Sequence, residues 1–159
     1  MRIYFFDTSA LQYRYVQGTF TRLIRRLISD RRSSCYIADV TVLEISGALA
    51  KTCRREGWDV VKFDTFNDRF WADLAARRLK VCTTANRDLL RAKDLIRFAG
   101  VAKRKNLGSA DALIAVCCLE LALEKGEKVT FYLEDRKLYG TLKDVNAFQA
   151  GLKLRLLRN

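Results

Sequence analysis

Short apolar runs alternate with longer segments of helical pattern along the chain, and this alternation constrains the fold more than any other feature. The predicted strands are residues 3–6, 35–38, 79–83, 128–133 and 152–156. The predicted helices are residues 9–16, 19–29, 41–54, 58–78, 87–99 and 109–125. Strands that alternate with helices form βα units, in which parallel strands build a sheet covered by helices. The sequence therefore predicts an α/β protein with a central parallel sheet of four to five strands sandwiched between helices.

The chain shows no repeat, linker or low-complexity segment, so we expect a single domain over residues 1–159. No apolar run approaches the roughly 20 residues of a membrane span. Asp7 interrupts the first apolar run too early for the core of a signal peptide. The five cysteines are odd in number and form no CxxC pair. These features predict a reduced, cytoplasmic protein without a membrane segment.

The complete absence of histidine narrows the chemistry that this chain can perform. It excludes Ser-His-Asp and Cys-His nucleophile systems, imidazole acid–base pairs and histidine-ligated zinc. If the protein is an enzyme, then carboxylates, lysines, hydroxyl groups or a hard metal ion must carry its reaction.

The net charge of +12 and the pI near 9.8 favour a polyanionic partner, and nucleic acid is the first candidate. The strongest candidates for RNA phosphate contacts are Arg22, Arg25, Arg26, Lys103, Arg104 and Lys105. Further basic candidates are Arg31, Arg32, Lys51, Arg54 and Arg55. For each residue alone, a solvated surface position is the simpler interpretation. Together they predict binding that weakens as salt rises.

Four acidic residues stand at predicted strand ends or in the first turns of predicted helices. They are Asp7, Glu44, Asp111 and Asp135. In a parallel α/β sheet, ligands bind outside the carboxyl ends of the strands, and Asp7 directly follows the first strand in IYFFDTSA. We therefore interpreted the four residues as one candidate cluster.

Each of the four acids also has a purely structural interpretation. Asp7 is placed as a helix N-cap, and the Thr41-x-x-Glu44 spacing matches a capping box. Ser109 is placed to cap a helix whose dipole favours Asp111 in its first turn. Asp135 has Arg136 and Lys137 as neighbours for a surface ion pair.

Considered together, the acids are harder to explain as structural residues. Carboxylates that converge at one edge of the sheet would repel one another unless a cation lay among them. Without histidine, an oxygen-only site suits Mg²⁺ or Mn²⁺. Such ions polarise a phosphate and lower the pKa of bound water, so in a strongly basic protein the pattern indicates phosphodiester hydrolysis.

These motifs resemble those of a known family. The segments FFDTSAL, VTVLEISGAL and SADALIAV, in that order, resemble the PIN-domain ribonucleases, in particular the VapC-type toxins of toxin–antitoxin pairs. The tail DVNAFQAGLKLRLL resembles the segment that closes these domains with a last short strand. The resemblance covers nearly the whole chain. It implies a PIN-like fold whose acidic cluster binds divalent metal for RNA cleavage.

The resemblance places Asp7, Glu44 and Asp111 in the metal-binding core, with Asp135 as the fourth acid. The members of the family also carry hydroxyl groups after the first aspartate, and Thr8 and Ser9 occupy those positions here. The fourth motif departs from the pattern, because Leu133 stands where a Thr or Ser is common. Glu134 lies beside Asp135, so the fourth acid is either of the two.

The mechanism that these assignments imply is metal-assisted cleavage. We expect Asp7, Asp111 and Asp135 to hold one or two ions, and Glu44, or a carboxylate that holds no ion, to position or deprotonate the attacking water. The expected products carry a 5′-phosphate and a 3′-hydroxyl. The resemblance also implies a cognate antitoxin and a homodimer.

Two other functions are alternatives for this sequence. One is a catalytically silent PIN-type module that binds nucleic acid through its basicity. The other is a phosphatase of the haloacid-dehalogenase type, which needs a second acid two residues after the first, where this chain has Ser9.

Overall fold

A computed structural model describes residues 1–157 and contains one five-stranded sheet in which every strand is parallel to its neighbours. The strands are β1 (Arg2–Phe6), β2 (Ser33–Ala38), β3 (Lys80–Cys82), β4 (Val129–Leu133) and β5 (Leu152–Leu156). Their order across the sheet is β3-β2-β1-β4-β5. The predicted α/β class and the parallel sheet are confirmed. We predicted one domain over residues 1–159. Residues 158 and 159 lie outside the described residues, so this stays a prediction.

The described residues form eight α-helices. They are α1 (Thr8–Gln12), α2 (Thr21–Ser29), α3 (Asp39–Glu56), α4 (Val60–Ala75), α5 (Asn86–Arg97), α6 (Ser109–Lys125), α7 (Arg136–Lys143) and α8 (Asn146–Gly151). A π-helical turn, Phe98–Ala102, continues α5.

Three helix predictions need correction. The first helix ends at Gln12 rather than at residue 16. The helix expected over residues 58–78 ends at Ala75, and Arg77 adopts a left-handed conformation that a helix does not accommodate (φ 54°). The segment between β4 and β5 was predicted without a helix, yet it contains α7 and α8. Both helices are short, which makes their periodicity weak in the sequence.

The sheet is buried on both faces, which explains the uninterrupted apolar run in β1. Ile3 and Phe5 face a layer that includes α5, α6, α7 and α8. Tyr4 and Phe6 face a second layer that includes α1, α2, α3 and α4. Phe5 and Phe6 are both fully buried although they point to opposite faces. Parallel strands covered on both sides read as continuous apolar runs, so the sandwich of helices around the sheet is confirmed.

The order of the strands defines where a ligand site is expected. From β1 the chain adds β2 and then β3 on one side, and it later adds β4 and β5 on the other side. Phe6 pairs with Tyr132 where β1 and β4 end side by side. The crevice outside the carboxyl ends of two such strands is the usual ligand site of an open α/β sheet. In this chain the residues that follow these strands are Asp7, Glu134 and Asp135.

The aromatic residues of α4 and the cysteines have structural positions in the fold. Phe66 and Phe70 of the aromatic segment in α4 are buried core residues, whereas Trp71 is half exposed. The five cysteines are free thiols, as expected of a reduced protein. Among the helices of residues 1–157, none has the length and the apolar character needed to cross a membrane.

Candidate active site

One cavity of about 460 Å³ is lined by all the acidic and hydroxyl residues that the family resemblance assigns to the site. Its lining includes Asp7, Thr8, Ser9, Glu44, Asp111, Glu134 and Asp135. Gln12, Ala48, Lys51, Thr52 and Arg55 complete the lining. Residues separated by more than a hundred positions in the chain therefore meet at the carboxyl edge of the sheet.

Asp7 is fixed where β1 passes into α1. Its backbone N–H donates to the carbonyl of Tyr132 (3.0 Å), which extends the pairing of β1 with β4 by one residue. Its Oδ1 accepts from the backbone N–H of Thr8 (2.7 Å), and its Oδ2 accepts from the Ser9 hydroxyl (2.5 Å). Asp7 is the N-cap of α1, as the structural interpretation predicted, yet it also lines the cavity. The cap therefore does not exhaust its role.

The environment of Asp7 opposes its negative charge. Only 4% of the surface of Asp7 is exposed to solvent. Burial raises the pKa of the carboxyl group, and so do the nearby carboxylates of Asp111 and Glu44, while the hydrogen bonds from Ser9 and Thr8 lower it. The net result is a pKa of about 6. Desolvation and like charge both favour the protonated form of an acid. Asp7 is thus a buried carboxylate whose charge is not compensated by its neighbours.

Glu44 reaches the cavity from the second turn of α3. The capping box predicted from Thr41 and Glu44 is wrong, because α3 already begins at Asp39. The buried Thr41 hydroxyl makes no hydrogen bond within the described residues. Instead, the Glu44 Oε2 accepts from the Thr8 hydroxyl (2.6 Å). Thr8 therefore connects the end of β1 to α3 and holds the Glu44 carboxylate at the cavity.

Asp111 lies in the first turn of α6, with Gly108 as the N-cap. The predicted cap by the Ser109 side chain is wrong, since no side chain caps this helix. A Cβ atom at Gly108 would lie 2.7 Å from the Asp111 Oδ2, so a side chain there would displace the Asp111 carboxylate. Burial raises the pKa of Asp111, and so do the charges of Asp135 and Glu44. The chain enters α6 from a loop, so Asp111 does not stand at a βα junction as expected.

The two candidates for the fourth acid are held differently. The Glu134 Oε1 accepts from the Tyr13 hydroxyl (2.8 Å). The Asp135 Oδ1 caps α7 by accepting from the backbone N–H groups of Lys137 (2.6 Å) and Leu138 (2.8 Å), rather than pairing with a basic side chain. Of the two acids, only Asp135 raises the pKa of Asp111. The arrangement therefore favours Asp135 as the fourth acid, because its charge acts on Asp111, whereas Glu134 is engaged by Tyr13.

The cavity is rich in carboxylates and lacks compensating cations. No lysine or arginine nitrogen of the described residues lies within 4.0 Å of any of its five carboxylates, although Lys51 and Arg55 line the same cavity. In residues 1–157, no three acidic or cysteine side chains lie close enough to share one metal ion. In kind, however, the donors fit Mg²⁺ or Mn²⁺, because they are carboxylate and hydroxyl oxygens only. The raised pKa values of Asp7 and Asp111 show that their negative charges are not balanced by positive charge nearby. A bound divalent cation would supply that positive charge.

Most of the basic residues predicted for RNA contacts do not line this cavity. Arg22, Arg25 and Arg26 occupy the exposed side of α2, as predicted. Lys103 and Lys105 lie near the Asp144 carboxylate, at 3.3 and 4.0 Å. Arg104 is exposed and adopts a positive φ of 50°. The basic side chains that line the cavity are Lys51 and Arg55.

Sequence reasoning missed three polar residues at the site. The Gln12 Nε2 donates to the Thr52 hydroxyl (3.2 Å), and both residues line the cavity. The Tyr13 hydroxyl donates to the Glu134 Oε1 (2.8 Å). The partners in each pair are tens of residues apart, so no local pattern could have indicated them.

Comparison with known proteins gives a structural match. No family model matches the chain, and no curated protein matches it in sequence. Among solved structures, the chain is similar to one in the crystal structure of VapBC2 from Rickettsia felis bound to a DNA fragment from their promoter. The TM-score is 0.61, with 16% sequence identity, and the match covers 98% of this chain and 99% of that chain. At this level of identity the likeness establishes the fold, and the chain thus has the PIN-domain fold that its sequence motifs predict.

Proposed function

We propose that this protein is a Mg²⁺-dependent endoribonuclease that hydrolyses phosphodiester bonds of RNA. The observation that carries the proposal is the cavity of five carboxylates at the switch point of the sheet, none of which forms an ion pair within the described residues. A protein of net charge +12 that concentrates uncompensated acids at its ligand edge is suited to a polyanion and a divalent metal together.

Asp7, Asp111 and Asp135 would hold the ion. A bound Mg²⁺ or Mn²⁺ supplies positive charge that polarises the scissile phosphate and lowers the pKa of a bound water. The contacts of Asp7 with Thr8 and Ser9 fix its carboxylate at the end of β1. Asp7 would thus provide one metal ligand in a fixed position, and Asp111 and Asp135 would provide the others.

Glu44 would orient the attacking water and accept its proton. The Thr8 hydroxyl donates to the Glu44 carboxylate and sets its direction (2.6 Å). A carboxylate held by a hydrogen bond is a suitable general base for water. Lys51 and Arg55, which line the same cavity, would bind RNA phosphates that flank the scissile bond.

The products expected from this mechanism carry a 5′-phosphate and a 3′-hydroxyl. The chain lacks histidine, so it has no imidazole for a general acid or base, and water activated at the carboxylate cluster is the nucleophile that the site can supply.

We further propose that the chain acts in the cytoplasm as the toxin of a toxin–antitoxin pair. The support is the likeness to a chain of the VapBC2 structure, together with exposed apolar residues that a partner would cover. On α3 and α4, Leu43 is 79% exposed, Val60 69% and Val61 66%. A cognate antitoxin or a second copy of the chain is the proposed partner, and co-expression with the neighbouring gene followed by size-exclusion chromatography tests both.

A catalytically silent PIN-type module that binds RNA is the competing function. It is favoured by one observation, namely that no three acidic side chains of the described residues converge on a single point. Under the nuclease proposal, the ion itself draws the carboxylates together. A silent module would bind RNA equally well with and without Mg²⁺ and would leave it intact.

The experiment that separates the two functions is incubation of the purified chain with total RNA in Mg²⁺ or in EDTA. We expect fragments in Mg²⁺ whose 5′ ends need no kinase to be ligated, and intact RNA in EDTA. Cleavage that persists in EDTA, or intact RNA under both conditions, would contradict the proposal. The Asp7→Asn variant serves as the control for a contaminating nuclease.

A further inference from the structure

A second charged cavity, of about 270 Å³, lies outside the acidic site. Four arginines line it, and we call it the four-arginine pocket: Arg14, Arg25, Arg69 and Arg78. Asp73, Tyr15 and Ala72 complete its lining. The volume is that of several water molecules, which is sufficient for a phosphate group.

Asp73 organises this pocket. It is only 2% exposed and accepts from the Arg14 Nε (2.8 Å) and Nη2 (3.0 Å), as well as from the Arg78 Nη1 (2.8 Å). The Tyr15 hydroxyl donates to the same carboxylate (3.2 Å). A paired fork of this kind fixes the plane of a guanidinium group. Two of the four arginines are therefore held in place before any ligand arrives.

The charges of the pocket do not balance within the described residues. One carboxylate, that of Asp73, faces four guanidinium groups. Arg25 donates its Nε to the backbone carbonyl of Arg14 (3.1 Å), which positions it without neutralising it. Neither Arg25 nor Arg69 lies within 4.0 Å of a carboxylate in the described residues. The pocket thus keeps an excess of positive charge that an anion would complement.

Phosphate is the anion that suits this arrangement. Guanidinium groups bind phosphate oxygens through parallel hydrogen bonds, and several prearranged arginines favour a tetrahedral anion with many acceptor oxygens. The pocket contrasts with the acidic cavity, where metal-binding carboxylates dominate.

The pocket lies near the opposite edge of the sheet from the acidic cavity. The Arg14 Nη1 donates to the hydroxyl of Ser29, which ends α2, and Arg78 lies two residues before β3. Asp7 and Asp135 instead follow the carboxyl ends of β1 and β4. A phosphate in the pocket would therefore belong to a different nucleotide from the one whose phosphate is cut.

We propose that the four-arginine pocket binds a backbone phosphate of the RNA substrate, remote from the scissile bond. This proposal rests on the proposed function in one respect, namely that RNA is the substrate. It adds that the protein holds RNA at two separate places, one by metal and one by guanidinium groups.

The test is the affinity of each variant for a labelled single-stranded RNA of about 16 nucleotides, measured in EDTA as a function of salt. Binding in EDTA does not depend on cleavage, so a failure of the nuclease proposal leaves this result readable. Arg69→Gln is the test variant, because Arg69 makes no hydrogen bond or ion pair in residues 1–157 whose loss would unfold the chain. Arg97→Gln is the matched control, since Arg97 is an exposed arginine on α5 outside both cavities.

We expect Arg69→Gln to weaken RNA binding at least about fivefold and to reduce the salt slope by about 0.7, the value for one phosphate contact on a single strand. Arg97→Gln should change the affinity less than about twofold. Arg25→Gln, on a different helix, should reproduce the effect of Arg69→Gln. Equal effects of Arg69→Gln and Arg97→Gln would overturn the proposal, because general charge would then explain the binding.

Inorganic phosphate distinguishes the source of the ligand. Calorimetry with phosphate alone should show weak binding to the wild type and none to Arg69→Gln, and excess phosphate should reduce the RNA affinity of the wild type to that of the variant. If phosphate binds while both proteins hold RNA equally, the ligand is a free phosphate, and the assignment to RNA is wrong.

Discussion

Two aspartates, Asp7 and Asp73, are almost equally buried in this protein, and their surroundings are opposite. Asp7 is 4% exposed and Asp73 is 2% exposed. Arg14 and Arg78 pair with Asp73 and lower its pKa, although burial alone acts in the other direction. Asp7 has hydrogen bonds but no cation, and burial raises its pKa to about 6.

The difference teaches how to separate a structural acid from a functional one in this fold. A buried charge is tolerated when it is paired, as Asp73 is, and such a residue supports the packing of α4 against the segment after α1. A buried charge that faces other carboxylates destabilises the empty protein. Its presence is explained when a ligand supplies the missing positive charge, and perturbed acids in a cleft are candidates for such a role.

The largest expected effect is the loss of catalysis in Asp7→Asn. Removal of the carboxylate removes a ligand of the proposed ion, so we expect RNA cleavage in Mg²⁺ to fall at least about a thousandfold, or roughly 4 kcal/mol of barrier. Cleavage of a labelled RNA under single-turnover conditions measures this. The control is Asp59→Asn, which alters another N-cap aspartate, at α4 outside the cavity, and should keep full activity. Equal activity of the wild type and Asp7→Asn would contradict the assignment.

The second effect is a loss of folding stability in Asp73→Asn. Asp73→Asn leaves the Arg14 and Arg78 guanidinium groups without their carboxylate, so we expect a loss of roughly 3 kcal/mol or more in unfolding free energy. Urea denaturation measures it. Asp144→Asn is the matched control, because Asp144 pairs with Lys103 at the surface and its loss should cost less than about 1 kcal/mol. A wild-type stability in Asp73→Asn would show that the two aspartates do not differ as described.

The third effect separates the aspartates by pH. Because the pKa of Asp7 in the folded state is raised to about 6, its burial costs nothing at acidic pH. The stability of the wild type relative to Asp7→Asn should therefore fall as pH rises from about 4 to about 6, by at most about 3 kcal/mol, and level off above. Asp73 has a lowered pKa in the folded state. Its charge therefore stabilises the fold at pH values above the ordinary pKa of an aspartate, and this stabilisation is lost only as the pH falls below that value.

Urea denaturation of wild type, Asp7→Asn and Asp73→Asn in EDTA across this range measures the prediction. A difference between the wild type and Asp7→Asn that rises with pH would have the wrong sign for a buried, unpaired acid.

The smallest effect tests how the neighbours of Asp7 are positioned. Thr8→Val removes the hydroxyl that holds Glu44, and we expect the cleavage rate to fall about tenfold with little change in KM. Thr8→Ser keeps the hydroxyl and should restore most of the rate. If Thr8→Ser is as slow as Thr8→Val, the hydrogen bond to Glu44 does not explain the loss.

The fold could be predicted from the sequence because its strands are buried on both faces. Residues 3–6 and 128–133 appear as apolar runs, and their alternation with helices implies a parallel sheet. The helices between β4 and β5 could not be predicted in the same way. α7 starts at a cap by Asp135 and is only eight residues long, so tertiary packing of Leu138 and Leu142 decides its conformation.

The residues of the site could be predicted in identity but less well in geometry. Asp7 follows directly from the end of β1, a position that local sequence determines. Glu44 resembled half of a capping box with Thr41, and only the contact with Thr8, 36 residues away, reveals its placement. The choice between Glu134 and Asp135 likewise depends on the Tyr13 hydroxyl, 121 residues from Glu134. Long-range pairs of this kind leave no periodic pattern in a single sequence.

The most direct test of the central claim, that a divalent cation compensates the buried charge of Asp7, is the melting temperature of wild type and Asp7→Asn at neutral pH in EDTA and in Mg²⁺. In EDTA, Asp7→Asn should be at least as stable as the wild type, because a repelling charge is gone. Saturating Mg²⁺ should raise the melting temperature of the wild type by several degrees, as binding worth about 2 to 3 kcal/mol would, and leave that of Asp7→Asn unchanged. Equal shifts in both proteins, or no shift in the wild type, would contradict the account.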